Sequence, residues 1–173
     1  MKTRFFVTCV CVLMSFCVCA QKEYNDKVNK RNNKGQKEGY WIEDRGFDTI
    51  ELYYQNGRKS GVFKSYSKKG TLDAFGEYTD GRKSGTWYYF GDRGHLEMIQ
   101  KDFKINTDTV SLDNNARYIY PYKCYTITYY PNGIVQNEGI LLWDEDSELD
   151  TVREYGEWKY YDESGKLIRT KVF

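Results

Sequence analysis

Residues with the chemistry to catalyse are few and scattered. His95 is the sole histidine, so any triad or histidine-based metal site has to use it. It follows Gly94 at a predicted turn, the position of Thr71 one repeat earlier, and is expected to be a surface turn residue. Of five cysteines, Cys9, Cys11, Cys17 and Cys19 lie in an apolar N-terminal segment. Cys124 is left alone in the aromatic, β-branched stretch Tyr122 to Tyr130. A lone thiol there is expected to be buried and inert. The sequence contains no G-x-S-x-G elbow and no H-E-x-x-H helix motif, and Cys124 has no cysteine to pair with. No catalytic residue, metal ligand or cofactor is assigned.

Carboxylates offer the one alternative chemistry. A glycosidase needs two of them about 5–10 Å apart, and Glu138, Glu154 and Glu157 sit at or near predicted strand positions. A carbohydrate-active enzyme is therefore the alternative function, although solvated strand-face carboxylates are the reading favoured. Asp144 to Asp150 places acids at alternate positions, as a calcium loop does. It lacks the glycine of the EF-hand bend, and the twelfth position is Tyr155 rather than Glu. A solvated acidic loop is expected.

Binding is better provided for. Trp41, Phe63, Trp87 and Trp158 occupy equivalent positions in a repeat, with Tyr66, Phe90, Tyr129 and Tyr161 three residues on. In-register rings pack across strands and are expected to form the core; exposed, the same rings would bind a glycan or a peptide. The candidate contact residues are Trp41, Trp87, Tyr89, Trp158 and Tyr160. The recurrent basic turns add Arg58 and Lys59, then Arg82 and Lys83. Such turn charges also keep sheet edges from pairing. The run Trp87-Tyr88-Tyr89-Phe90 puts rings on both faces of a strand. Either both faces are covered or one aromatic face is open.

The N-terminus sets the expected compartment. Lys2 and Arg4 precede an apolar run from Phe5 to Val18, and Val18-Cys19-Ala20 offers compact residues before Gln21. Basic, apolar and small in that order predicts a secretory signal peptide over residues 1–20. The apolar run falls short of the roughly 20 residues of a spanning helix. Cys17 follows Phe16 and Cys19 follows Val18, whereas a lipidated cysteine follows a small residue. Export to the periplasm, the cell envelope or the medium is expected. The remaining 153 residues carry a formal charge of −1, with Lys2 and Arg4 taken from the 26 basic residues against 25 acidic ones. No basic excess draws the chain to nucleic acid.

Positioning falls to a repeat. Gly57, Gly61, Gly70 and Leu72 recur as Gly81, Gly85, Gly94 and Leu96, each shifted by 24. Lys34 to Trp41 is an earlier copy of the turn and strand start. Tyr129 to Gly133 matches the second half, with Gly139 in the place of Gly76, and Gly156 to Leu167 is the closing copy. Each unit reads as a β-hairpin: Gly61 to Ser67 out, a turn at Lys68-Lys69-Gly70, and Thr71 to Thr79 back. Leu72, Ala74, Gly76 and Tyr78 are expected on one face, and Asp73, Phe75 and Glu77 on the other. Insertions are predicted near 104–118 and 144–151, and a flexible polar arm over 21–34.

The unit Gly-x-Trp-x-x-Tyr-x-x-x-Gly-x-Leu resembles the variant MORN repeat of the YwqK-type antitoxin-like family. The likeness runs from Lys34 to Leu167 and is strongest over Gly57 to Leu96 and Gly156 to Leu167. It implies a stack of β-hairpins, and binding or assembly more than chemistry. An antitoxin would act in the cytoplasm, which the predicted export signal opposes. The expected fold is all-β, an elongated antiparallel meander of eight to ten strands over residues 35–173, as a single layer or a curled sheet. The expected function is a non-enzymatic binding or assembly module with a protein or cell-envelope partner. An antitoxin-like role is the other alternative.

Overall fold

The computed structural model describes residues 28–111, 117–144 and 152–173. The predicted signal peptide, arm residues 21–27 and the core of the acidic insertion lie outside them. The described residues contain no helix. The strands are β1 (Lys30–Arg31), β2 (Lys37–Asp44), β3 (Asp48–Gln55), β4 (Arg58–Ser67), β5 (Leu72–Thr79), β6 (Arg82–Phe90), β7 (Leu96–Ile105), β8 (Val110–Ser111), β9 (Arg117–Tyr118), β10 (Tyr122–Tyr129), β11 (Val135–Trp143), β12 (Val152–Tyr161) and β13 (Leu167–Val172). All but β8 and β9 form one open antiparallel sheet of eleven strands in chain order; β8 and β9 pair separately. That is one strand more than expected. The extra pairing is β1, within the stretch read as a flexible arm: Lys30 lies opposite Glu38 and Arg31 opposite Lys37.

Two backbone devices build the meander. At Asn56-Gly57 and Asp80-Gly81 all four residues have positive φ (51, 82, 53 and 85°). Two consecutive left-handed residues make a type I′ turn, whose twist matches that of the strands it joins. The second device lies two residues before each repeat aromatic. Gly39, Gly61, Gly85 and Gly156 have φ of 73, 73, 64 and 66°. At the last three the neighbouring strand slips: Leu52 pairs with Phe63 but Tyr53 with Ser60, Phe75 with Tyr88 but Glu77 with Ser84, and Glu138 with Lys159 but Ile140 with Tyr155. Each glycine thus starts a β-bulge that kinks and twists its strand.

One unit lacks the glycine, and the bulge changes strand. In the β7–β10 pair, Tyr125 lies opposite Lys101 and Lys123 opposite Lys104, so one extra residue falls in β7. There Asp102, exposed, takes φ of 59°. Aspartate tolerates the left-handed region better than most residues, and a β-branched residue does not. Asp102→Val is expected to cost about 2 kcal/mol and Asp102→Gly almost nothing; urea unfolding of the two variants measures the difference.

Register then carries one row of side chains straight across the sheet: Trp41, Leu52, Phe63, Gly76, Trp87, Gln100, Thr126, Gly139 and Trp158, ending at Lys171 of β13. We call this side the tryptophan face. Ile50, Ala74 and Tyr78 join it in the main core cluster. Where a glycine stands in the row, the next strand carries tryptophan, and the indole lies on the glycine. A Cβ at Gly76 would fall 2.3 Å from the Trp87 ring, and one at Gly139 would fall 2.4 Å from Trp158. The indole N–H then donates to the carbonyl of the next residue, Trp87 to Glu77 at 3.0 Å and Trp158 to Ile140 at 2.9 Å. Trp41 makes the same bond to Lys30 of β1, at 3.1 Å. That strand completes the first tryptophan site and so belongs to the fold.

The first insertion is not loose. Leu142, fully buried, packs with Val110 and Tyr120 of the insertion and with Ile140 and Tyr155. Asn106, also buried, donates to the carbonyls of Tyr120 and Asp108 at 2.9 and 3.0 Å, and the Lys123 ammonium meets Asp108 at 2.9 Å. The insertion covers the sheet side opposite the tryptophans over β10 to β12.

Candidate functional site

Of the residues read as contact candidates, the three tryptophans are buried and the other six are half-buried or exposed. Trp41, Trp87 and Trp158 are only 9, 2 and 2 % exposed, so a partner does not reach them. Tyr89 lies half-buried against Trp87, ring centroids 6.2 Å apart, and its hydroxyl donates to Gln100 at 2.8 Å. Tyr160 lies beside Trp158 at 6.4 Å, with its hydroxyl 3.2 Å from Glu154 and the Arg169 guanidinium 4.1 Å from its ring centroid.

The basic turns divide by residue. Each lysine folds back over the tryptophan-face rings: Lys59 over Tyr78 at 4.9 Å and Lys83 over Trp87 at 4.8 Å. Lys37, at the same repeat position, lies over Trp41 and Tyr54, both at 4.7 Å. An ammonium on a ring face shields the edge of the core and keeps its charge wet. The arginines turn outward. Arg58 pairs with Asp80 at 2.6 Å, both exposed. Arg82 and Lys83 join Lys104 around a hollow of about 140 Å³ walled by Phe103, Tyr122 and Trp143.

The candidate carboxylates divide between the two faces. Glu154 shares a register position with Leu141, and Leu141 with Cys124, which places it on the tryptophan face. Glu138 and Glu157 are on the other side. Glu138 already accepts from Tyr161 at 2.7 Å and hydrogen-bonds Tyr125. Burial first, and then that carboxylate, push the Tyr125 phenol up to about 12. Glu157 lies 3.8 Å from Lys159. His95, at its turn, is 3.4 Å from Glu97. Cys124 is buried without a disulfide, and burial raises its thiol pKa. No group of three or more histidine, cysteine or acidic side chains suited to a metal occurs among the described residues.

A surface that the residue pattern did not single out lies on the second face. Register aligns Ile42, Glu51, Lys64, Phe75, Tyr88, Ile99, Ile127, Glu138 and Lys159 there. We call it the tyrosine face. Tyr40 and Tyr53 pack at 5.2 Å, Phe75 and Tyr88 at 6.4 Å, and the Glu51–Lys64 ion pair at 3.5 Å lies between the two pairs of rings. Tyr40, Glu51, Tyr53, Val62, Lys64 and Phe75 line an open hollow of about 470 Å³, with Tyr53 49 % exposed. Consecutive rings at Trp87, Tyr88 and Tyr89 were the sequence signal for it. Of the two alternatives those rings allowed, the structure takes the second over β2 to β6, a ring-bearing face left open.

No family model and no curated protein matches the chain. A rigid open sheet whose rings are buried on one side and accessible on the other is suited to holding something against a surface.

Proposed function

We propose that this protein is an exported, non-enzymatic binding or assembly module of the cell envelope, and that its partner docks on the tyrosine face. One observation carries the reading: with Trp41, Trp87 and Trp158 buried in the core, Tyr40, Tyr53 and Phe75 still line an open hollow together with the Glu51–Lys64 ion pair. Half-exposed aromatics beside a few fixed polar groups are the composition of recognition surfaces. Hairpins of the variant MORN kind supply a rigid frame for such a surface. The lysine-capped edge of the core keeps the other side soluble.

Immobilised chain lacking residues 1–20, exposed to a cell-envelope extract, is expected to retain a component. Tyr53→Ala and Phe75→Ala, at half-exposed positions, are expected to lower retention at least tenfold, as loss of central aromatic anchors does (about 2 kcal/mol each), with little change in Tm. No retention, or retention unchanged in both variants, counts against the reading. The carbohydrate-active alternative has less support, because the sheet separates Glu154 from Glu138 and Glu157, and of the two on one face Glu138 is held by Tyr161 and Tyr125 while Glu157 lies beside Lys159.

A further inference from the structure

The two edges of the sheet are finished differently. On the N-terminal side, β1 covers the start of β2, and the Asn29 side chain covers the middle of that strand. Its amide oxygen accepts from the Ile42 N–H at 2.8 Å, and its amide nitrogen donates to the Ile42 carbonyl at 3.1 Å. One side chain satisfies both backbone groups that an added strand would use. At the other edge, among the described residues, β13 pairs only with β12, and every residue of it is exposed. Ile168 is 62 % and Val172 73 % exposed. A strand with free backbone groups and apolar side chains is a template for another strand unless something blocks it.

The side chains of β13 say which strand it accepts. Lys171 lies opposite Trp158 and Arg169 opposite Tyr160, both on the tryptophan face. Ile168, Thr170 and Val172 alternate onto the tyrosine face. Lys171 thus stands where Gly76 and Gly139 stand in earlier strands, the positions that receive the next tryptophan. With a lysine side chain there, the indole has no place to lie, so another Trp-bearing repeat strand does not fit. A second copy of β13 does not fit either. A two-fold axis normal to the sheet keeps each face continuous and sets Arg169 and Lys171 of one copy against those of the other. Like charges directly opposite are destabilising. Among the described residues neither cation has an ion-pair partner; Arg169 lies over Tyr160 and Lys171 over Phe173 at 3.7 Å.

We propose that the outer edge of β13 binds an extended acidic segment of a partner protein by strand addition, with carboxylates at alternate positions facing Arg169 and Lys171 and apolar residues between them continuing the row of Ile168, Thr170 and Val172. Backbone pairing supplies affinity, and the alternate cations select the sequence. This surface is separate from the tyrosine-face hollow and stands or falls apart from it.

Three synthetic peptides serve as probes against the chain lacking residues 1–20: alternating Glu and Val, the same composition in blocks, and alternating Lys and Val. The alternating acidic peptide is expected to bind, to weaken with salt, and to slow hydrogen exchange at residues 168–172. The charge reversal Arg169→Glu with Lys171→Glu is expected to cost at least about tenfold in affinity for it and to turn preference to the Lys-Val peptide. Tyr53→Ala leaves both results unchanged. Should the reversal disturb folding, Arg169→Gln with Lys171→Gln reports the same loss without the switch. Equal binding of alternating and blocked acidic peptides, equal binding of acidic and basic ones, or protection of β13 that rises with protein concentration alone overturns the proposal.

Discussion

Gly76→Ala, a change of one methyl group, is expected to destabilise the sheet by about 3 kcal/mol and to lower Tm by about 9 °C. The reason is the 2.3 Å separation between that methyl position and the Trp87 ring. What must yield is not the tip of a flexible side chain but a buried indole, 2 % exposed and tied through its N–H to Glu77. Moving the ring breaks that bond in a place water does not reach. Gly139→Ala meets Trp158 in the same way. Sheet propensity alone predicts the opposite sign, because alanine loses less entropy than glycine on folding and Gly76 has no positive φ that demands glycine. The sign of the measured change therefore decides between intrinsic propensity and the indole-on-glycine contact. The chain also shows how to relieve the clash. One repeat earlier, Leu52 stands in the place of Gly76 and faces Phe63 instead of tryptophan. Gly76→Leu combined with Trp87→Phe is expected to lose less stability than the two single changes summed, with a coupling of about 2 kcal/mol. An additive cycle from equilibrium denaturation would show that the ring and the glycine do not interact as described.

The same contact explains what could be read from the residues and what could not. The 24-residue spacing of Gly57, Gly61 and Gly70 places the hairpins, because turns need glycine whatever lies around them. Alternation put Ala74, Gly76 and Tyr78 together on the core side. The distinction between glycines was hidden. Gly61 and Gly85 serve the backbone, with φ of 73 and 64°, while Gly76 and Gly139 serve a neighbouring side chain. Only the register between strands separates the two roles. Register also hid the candidate surface. Trp87 and Tyr88 differ by one position, so ring content alone cannot rank them; the sheet buries the first and sets the second, half-buried, against Phe75 on the tyrosine face. Lys59 and Lys83 look like free turn charges in a linear reading. Only the twist at the following bulge lays them over Tyr78 and Trp87. Asn29 is a third case, since nothing in a polar N-terminal stretch shows that one amide closes an edge thirteen residues away.

Leu142→Ala tests how the insertion between β7 and β10 is held to the sheet. The side chain is fully buried in a cluster drawn from three parts of the chain, namely the insertion, β11 and β12. Removing it costs about 3 kcal/mol from lost burial and the cavity left behind. The cost should not spread evenly. The tryptophan row lies on the other face and keeps its contacts, whereas Val110 and Tyr120 lose the residue they close upon. What still holds the insertion is polar: Asn106 to the Tyr120 carbonyl, its N–H to the Pro121 carbonyl at 2.9 Å, and Lys123 to Asp108. Such bonds contribute about 1 kcal/mol each once water competes for them. Local opening is then easier than global unfolding, as in any region with few buried apolar contacts. Hydrogen exchange at Asn106 and Val110 is accordingly expected to accelerate by far more than exchange at Trp87. Asn106→Ala, which keeps the apolar lid but removes the side-chain bonds to the Tyr120 and Asp108 carbonyls, should give a smaller shift with the same spatial pattern. Uniform acceleration across the sheet in either variant would mean that the insertion and the meander unfold as one unit, and that Leu142 holds the whole sheet rather than its cover.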